Sequence, residues 1–333
     1  MPQGVATYIP FATRISSWVG PAATRHLAWP RSYGLLPDEA AELRHLQGRY
    51  PELAGRFHPA ATGADLDLAV DQMSWFFLFD DQFDGTWGRN PQRATQLIDA
   101  VLGELRDPRE PGAVHPMPLV RAFADLWKRS REGMSAAWCA RAAANWRAYL
   151  SGHATEAEHR ARASGPTRAE HLAVRSHTAG VQPILDLAER IGHYEVPTRV
   201  YDSDAMAAMR LIAAEVVVLD NEIVSVEKEE AVGDHNLVLL EQQDGRTRGE
   251  AIDTVCAMIR TRIERFLRLE AALPELAEHL ALDPVERHAV DRFRTDALHT
   301  VMRGAHDWQQ HSLRYAVEPA DPARDAAASP RAN

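Results

Sequence analysis

The sequence predicts an all-α protein built as one helical domain, on three observations. Apolar residues recur at spacings of three and four almost throughout the chain. No Asn-Gly or Asp-Gly pair sits between alternating runs, and Asp244-Gly245 falls between two helical segments. Connectors are short, without a linker composition or a repeat of fixed period. Candidate helices span 38–49, 64–86, 92–105, 117–132, 135–160, 167–191, 200–230, 246–272 and 284–315. They are separated at Gly85, at Pro108 to Pro118, and at Gly165-Pro166, Pro197, Asp244-Gly245 and Asp283-Pro284. The domain is assigned to residues 1–317. Residues 318–333 are mostly Ala, Pro, Arg and Asp without aromatic anchors and are expected to form a disordered tail.

With 333 residues, 45% of them hydrophobic, the chain can bury a large core. A net charge of -10 argues against a nucleic-acid partner, which would need a basic face. Cys139 and Cys256 are too few for a disulfide framework and have no zinc-ligand spacing, which points to reduced thiols in a cytoplasmic protein. Pro2, Gly4, Pro10 and Arg14 interrupt the first residues, so no secretory signal is read there. No run approaches the roughly 18 apolar residues of a membrane span.

In the first helix with chemical content, Trp75-Phe76-Phe77-Leu78-Phe79 runs into Asp80-Asp81-Gln82-Phe83-Asp84. Helical spacing would stack Asp80 and Asp84 on one face, with Asp81 beside them. Carboxylates at a helix C-terminus oppose the macrodipole and repel one another. Hard oxygens at this spacing suit Mg²⁺; a solvated acidic helix end is the alternative. Phe76 and Phe77 lie on roughly the face of Asp80 and Asp84, which disfavours that alternative. Phe79, Phe83 and Trp75 point elsewhere and are assigned to the core.

The second cluster follows Val216-Val217-Val218-Leu219. Asn221, Ser225 and Glu229 recur every four residues, so an amide oxygen, a hydroxyl and a carboxylate share one stripe, and Lys228 beside them can reach a phosphate. Taken alone, such a stripe is also what a solvent face looks like. Two oxygen clusters on separate helices are what a polynuclear magnesium–diphosphate site requires.

At this point the sequence resembles the bacterial class I terpene synthases. Asp80 to Asp84 is similar to their D-D-x-x-D motif, and Asn221 to Glu229 to their N-[DE]-x-x-S-x-x-x-E triad, with Glu222 at a position where Asp is commoner and which is not a triad ligand. Arg175 stands 46 residues before Asn221, about where the family carries a diphosphate-sensing arginine. It opens Arg175-Ser176-His177-Thr178-Ala179-Gly180, which puts Thr178 in the linker place and Ala179, or else Gly180, in the effector place. Arg314-Tyr315 resembles the terminal Arg-Tyr pair.

The likeness runs from Leu27 to Tyr315. It implies the class I terpenoid synthase fold, an antiparallel helical bundle around a deep apolar cavity. It further implies farnesyl diphosphate as substrate, a cyclic sesquiterpene as product, three Mg²⁺ ions that Mn²⁺ can replace, and a weak homodimer. Asp80, Asn221, Ser225 and Glu229 would hold the metal, with Asp81 and Asp84 as lesser ligands. Arg175, Lys228, Arg314 and Tyr315 would bind the diphosphate. Phe76, Phe77 and Trp308 would face a carbocation, core packing being the alternative for each. His306 and His311 are read as structural; the diphosphate or a carbonyl near Ala179 would accept the proton. Cyclases of geranyl or geranylgeranyl diphosphate, a prenyl diphosphate synthase and a silent interaction module are the rivals. The prenyl synthase would want a second aspartate-rich motif, and the silent module broken ligands.

Overall fold

The computed structural model describes residues 5, 7–83, 91–105, 115–162 and 165–315, and every regular element among them is a helix. In chain order these are α1 (Val19–Arg25), α2 (Ala28–Ser32), α3 (Glu39–Gln47), α4 (Tyr50–Phe57), α5 (Gly63–Asp80), α6 (Pro91–Gly103), α7 (Pro118–Ser130), α8 (Ala136–Ala161) and α9 (Arg168–Thr178). Then come α10 (Val181–Gly192), α11 (Thr198–Tyr201), α12 (Asp204–Val232), α13 (Leu237–Gln243), α14 (Arg248–Ala271), α15 (Leu273–His279), α16 (Pro284–Phe293), a π-helical turn (Arg294–Leu298) and α17 (His299–Gln309).

Local chemistry sets many of these bounds. Ser135 and Ser203 cap α8 and α12 by accepting from the amides of Trp138 and Met206. Thr167 with Glu170, Thr247 with Glu250, and Asp283 with Glu286 form capping boxes. Gly233, at φ 71°, ends α12 in the left-handed conformation that glycine adopts without a Cβ clash.

Three expectations are corrected. The segment 64–86 stops being helical at Asp80, where Gln82 and Phe83 close tight turns onto the carbonyls of Phe79 and Asp80. Asp84, expected one turn beyond Asp80, lies outside the described residues, as does the tail 318–333. The segment 167–191 is two helices, broken where Gly180 takes φ 68°. The segment 284–315 is interrupted by the π-helical turn and ends at Gln309.

The molecule is organised on α12, which packs against α9, α10, α13, α14 and α17; α5 packs on α4, α7 and α10, and α8 on α6, α9 and α10. Along α12, Ile212, Val216, Leu219, Ile223 and Val226 are buried at three- and four-residue spacing, while Val217, Asn221, Ser225 and Lys228 line a cavity. Half-buried Arg141 pairs with Asp186 and Glu189 and lies over the Tyr201 ring, joining α8 to α10. None of the described helices is long and apolar enough to cross a membrane.

Candidate active site

A cavity of about 790 Å³ is enclosed mainly by α5, α8, α9, α12 and α17. One helical turn, about 6 Å along the axis, separates Phe76 from Asp80 on α5, and both line it. Aromatic wall and carboxylate are thus placed in one chamber by the four-residue spacing. On α12, Asn221, Ser225 and Glu229 line the same cavity, as do Lys228, Arg175, Thr178 and Ala179, and from the C-terminal segment Trp308, Arg314 and Tyr315. Asp81 does not line it; its carboxylate turns to Arg314.

The polar groups are interlocked. Arg314 donates to Asp81 at 2.7 Å and Asp80 at 3.3 Å. Burial would raise the Asp80 pKa, but the charges of Arg314, His153, Arg175 and Lys228 together hold it below the ordinary carboxylate range. Arg175 donates through Nη2 to Asn221 Oδ1 (2.8 Å) and through Nε to Glu222 Oε1 (3.1 Å). The Asn221 amide nitrogen donates to the Tyr315 hydroxyl at 2.9 Å, and the Ser225 hydroxyl to the Asn221 carbonyl at 2.8 Å. Glu229 accepts from Asn236 Nδ2 at 2.6 Å. Burial, reinforced by the charge of Glu222, pushes the Glu229 pKa up to about 7.

The aromatic wall differs in part from the expected one. Phe76 stacks on Trp146 at 5.1 Å and meets Tyr149 edge-on, and a Cβ built on Gly180 would come within 3.2 Å of its ring. Phe77 lines the cavity, but its ring stacks on Tyr50 at 4.5 Å and lies 4.5 Å beneath the Arg314 guanidinium, so it supports that arginine. Trp308 lines the cavity at 5.5 Å from Phe77, fixed by its N–H to the Gly48 carbonyl. Phe83 belongs to the buried core as assigned, packing on Phe79 at 5.0 Å and stacking on His153 at 5.1 Å, and it also reaches the cavity lining. Phe79 and Trp75 are fully buried against one another and do not line the cavity. His306 pairs with Asp220, and His311 with the carbonyl of Asp307.

Sequence reasoning passed over four groups around this cavity. Glu222, fully buried, binds Arg175, His171 and the Leu237 amide. Asn236 caps α13 by accepting from Val238, and donates to both Glu229 and the Glu222 carbonyl. An N-cap asparagine before an apolar run was the available signal for it. Glu156 accepts from Thr178 at 2.6 Å, and Tyr149 lines the cavity; nothing in their helix pattern marks either one.

Comparison with known proteins identifies the family. Residues 71–265, which carry both polar clusters, match the family described as terpene synthase family 2, C-terminal metal binding. The chain belongs to the terpene synthase family. Over 321 residues this terpene synthase is 49% identical to pentalenene synthase from Streptomyces exfoliatus, covering 96% of this chain and 94% of that one. To the (-)-beta-caryophyllene synthase of Saccharothrix espanaensis it is 40% identical, covering 96% and 91%. The crystal structure of linalool/nerolidol synthase from Streptomyces clavuligerus in complex with 2-fluorogeranyl diphosphate superposes with a TM-score of 0.80 at 37% identity, over 93% of this chain and all of that one.

The residues present fit a divalent metal cofactor. Among the described residues no group of three His, Cys, Asp or Glu could hold a metal ion. That leaves the mixed set of Asn221, Ser225 and Glu229 on one helix, facing the cavity it shares with Asp80. Amide, hydroxyl and carboxylate oxygens are hard donors of the kind Mg²⁺ prefers.

Proposed function

We propose that this terpene synthase converts farnesyl diphosphate into a cyclic sesquiterpene in the cavity between α5 and α12, with three Mg²⁺ ions as cofactor and Mn²⁺ able to substitute. The observation that carries the reading is the sharing of one cavity by hard-oxygen ligands, diphosphate-binding cations and an aromatic wall. Asp80, Asn221, Ser225 and Glu229 would hold the metal, with Asp81 and Asp84 in lesser roles. Bound magnesium supplies Lewis-acid stabilisation of a diphosphate leaving group. Arg175, Lys228, Arg314 and the Tyr315 hydroxyl bind that group from the protein side, which is how an acidic chain accommodates a polyanion. Thr178 and Ala179, at the break between α9 and α10, follow Arg175 closely enough to transmit its engagement to the cavity.

The apolar wall excludes water, and ring faces stabilise a carbocation by about 0.5–2 kcal/mol each without attacking it. Pentalenene is the first product to look for, given the identity to pentalenene synthase. Supplying geranyl, farnesyl and geranylgeranyl diphosphates in competition, and analysing the volatiles by mass spectrometry, tests the substrate assignment. A preference for either of the other chain lengths would overturn it.

Two predictions arise here. Phe76→Ala removes a ring from the cavity wall and should raise the share of less cyclised products, since about 1.4 kcal/mol between competing barriers is a tenfold change in partition. Phe79→Ala should instead cost about 3–5 kcal/mol of stability and leave product ratios alone. Gas chromatography beside thermal melts would separate them, and reshaped products from Phe79→Ala with none from Phe76→Ala would reassign the wall.

The second concerns pH. A pKa of about 7 leaves Glu229 mostly protonated at pH 6 and mostly ionised at pH 8. Only the ionised form is a good ligand, so Mn²⁺ affinity without substrate should be about tenfold weaker at pH 6 than at pH 8. Paramagnetic resonance titrations should show Glu229→Gln losing most of that dependence; an equal dependence in the variant would place the titrating group elsewhere.

A further inference from the structure

Glu222 sits at the second position of the triad motif, with no part in the ligand set proposed above, yet it is fully buried. A buried carboxylate is costly unless its oxygens are satisfied, and removing one partner of such an arrangement is more damaging than its net worth suggests. Here Oε1 accepts from Arg175 Nε at 3.1 Å, while Oε2 accepts from His171 Nε2 at 3.0 Å and from the Leu237 amide at 2.5 Å. Arg175 is therefore gripped at two nitrogens of one planar group: Nε by Glu222 and Nη2 by Asn221 at 2.8 Å. Glu156 stands 3.8 Å from Nη1. The Asn221 contact is to a proposed metal ligand, whereas the Glu222 contact is to a residue on the buried side of α12, so Glu222 at Nε, with the Glu156 carboxylate beside Nη1, is left to hold the guanidinium plane when Asn221 serves the metal.

We propose that Glu222 is the positioning residue for Arg175, aiming its guanidinium at the diphosphate while taking no part in metal binding. This deepens the cyclase reading and rests on it. The carboxylate joins three elements at one point: α12 through its own backbone, α9 through Arg175 and His171, and the start of α13 through Leu237. The arginine is thereby referenced to the helix that bears the triad. A planar guanidinium held by two acceptors has one orientation; held by one, it can swing.

The test is calorimetry of Mg²⁺-loaded inorganic diphosphate, paired with Mn²⁺ titration in the absence of diphosphate. Glu222→Gln should weaken diphosphate binding tenfold or more and leave Mn²⁺ affinity within about threefold. Glu222→Asp, which keeps the carboxylate, should restore most of the loss. His171→Gln controls for structure: it disturbs the same buried oxygen pair and should lower the melting temperature, but leave diphosphate affinity within about threefold because the Arg175 contact survives. In an Arg175→Ala background, Glu222→Gln should cost less than a further twofold, since residues acting as one unit are not additive. Parental diphosphate affinity in Glu222→Gln, parallel loss of Mn²⁺ binding, equal loss in His171→Gln, or additivity in the double variant would each overturn the assignment. If the parent protein itself bound no Mg²⁺–diphosphate, the cyclase reading would fail first and take this assignment with it.

Discussion

Asn221→Ala is expected to lower turnover about a thousandfold, equivalent to about 4 kcal/mol of lost transition-state stabilisation, and Glu229→Ala to do the same. Both side chains face the cavity from one stripe of α12, and each is held by a donor: Asn221 by Arg175, Glu229 by Asn236. The loss should not be one of folding. Asn221 stands at a cavity wall rather than in the hydrophobic core, so its truncation leaves no apolar void. Melting temperatures of both variants should therefore stay near the parental value while activity disappears and excess Mg²⁺ fails to restore it. Near-parental turnover in either variant, measured at saturating Mg²⁺, would remove that residue from the metal set.

Arg175→Lys is the second large expected loss, of about a hundredfold or more in kcat/KM for farnesyl diphosphate. The guanidinium reaches Glu222 through Nε and Asn221 through Nη2, two N–H donors fixed in one rigid plane. An ammonium keeps the charge but is a point with no fixed fork, and cannot hold both contacts while presenting further N–H groups to a diphosphate. Burial disfavours the cation, but the carboxylates of Glu222, Glu156, Glu229 and Asp80 raise the Arg175 pKa further still, so it is charged at any working pH. Kinetics on the lysine variant decide the matter: if it turned over substrate like the parent, charge alone would suffice and a shaped contact would not be needed.

Much of this was legible in the chain. Helical periodicity and the absence of strand signals gave the fold class. Oxygen-bearing residues every four positions placed Asn221, Ser225 and Glu229 on one cavity wall, because α12 runs unbroken through them. The same arithmetic presumes a continuous helix, and α5 ends not at residue 86 but at Asp80, where clustered negative charge meets the negative end of the helix dipole. Phe77 was placed on the right face, but its neighbours were invisible: Tyr50 and Arg314 come from segments distant in sequence. Glu222 was passed over because its partners, His171, Arg175 and Leu237, meet only in three dimensions. Tertiary contacts of this kind have no period, so a pattern of spacings carries no trace of them.

Central to the account is a single cavity that ionises farnesyl diphosphate with divalent metal and closes the resulting cation into a ring. The most direct measurement incubates the purified protein with farnesyl diphosphate, follows released diphosphate and extracted hydrocarbon together, and repeats both with the metal chelated and then with Mg²⁺ restored. The account predicts a cyclic sesquiterpene formed alongside diphosphate, lost on chelation and recovered with Mg²⁺. Turnover that persists without divalent metal, or a product that is a longer prenyl diphosphate, would contradict it.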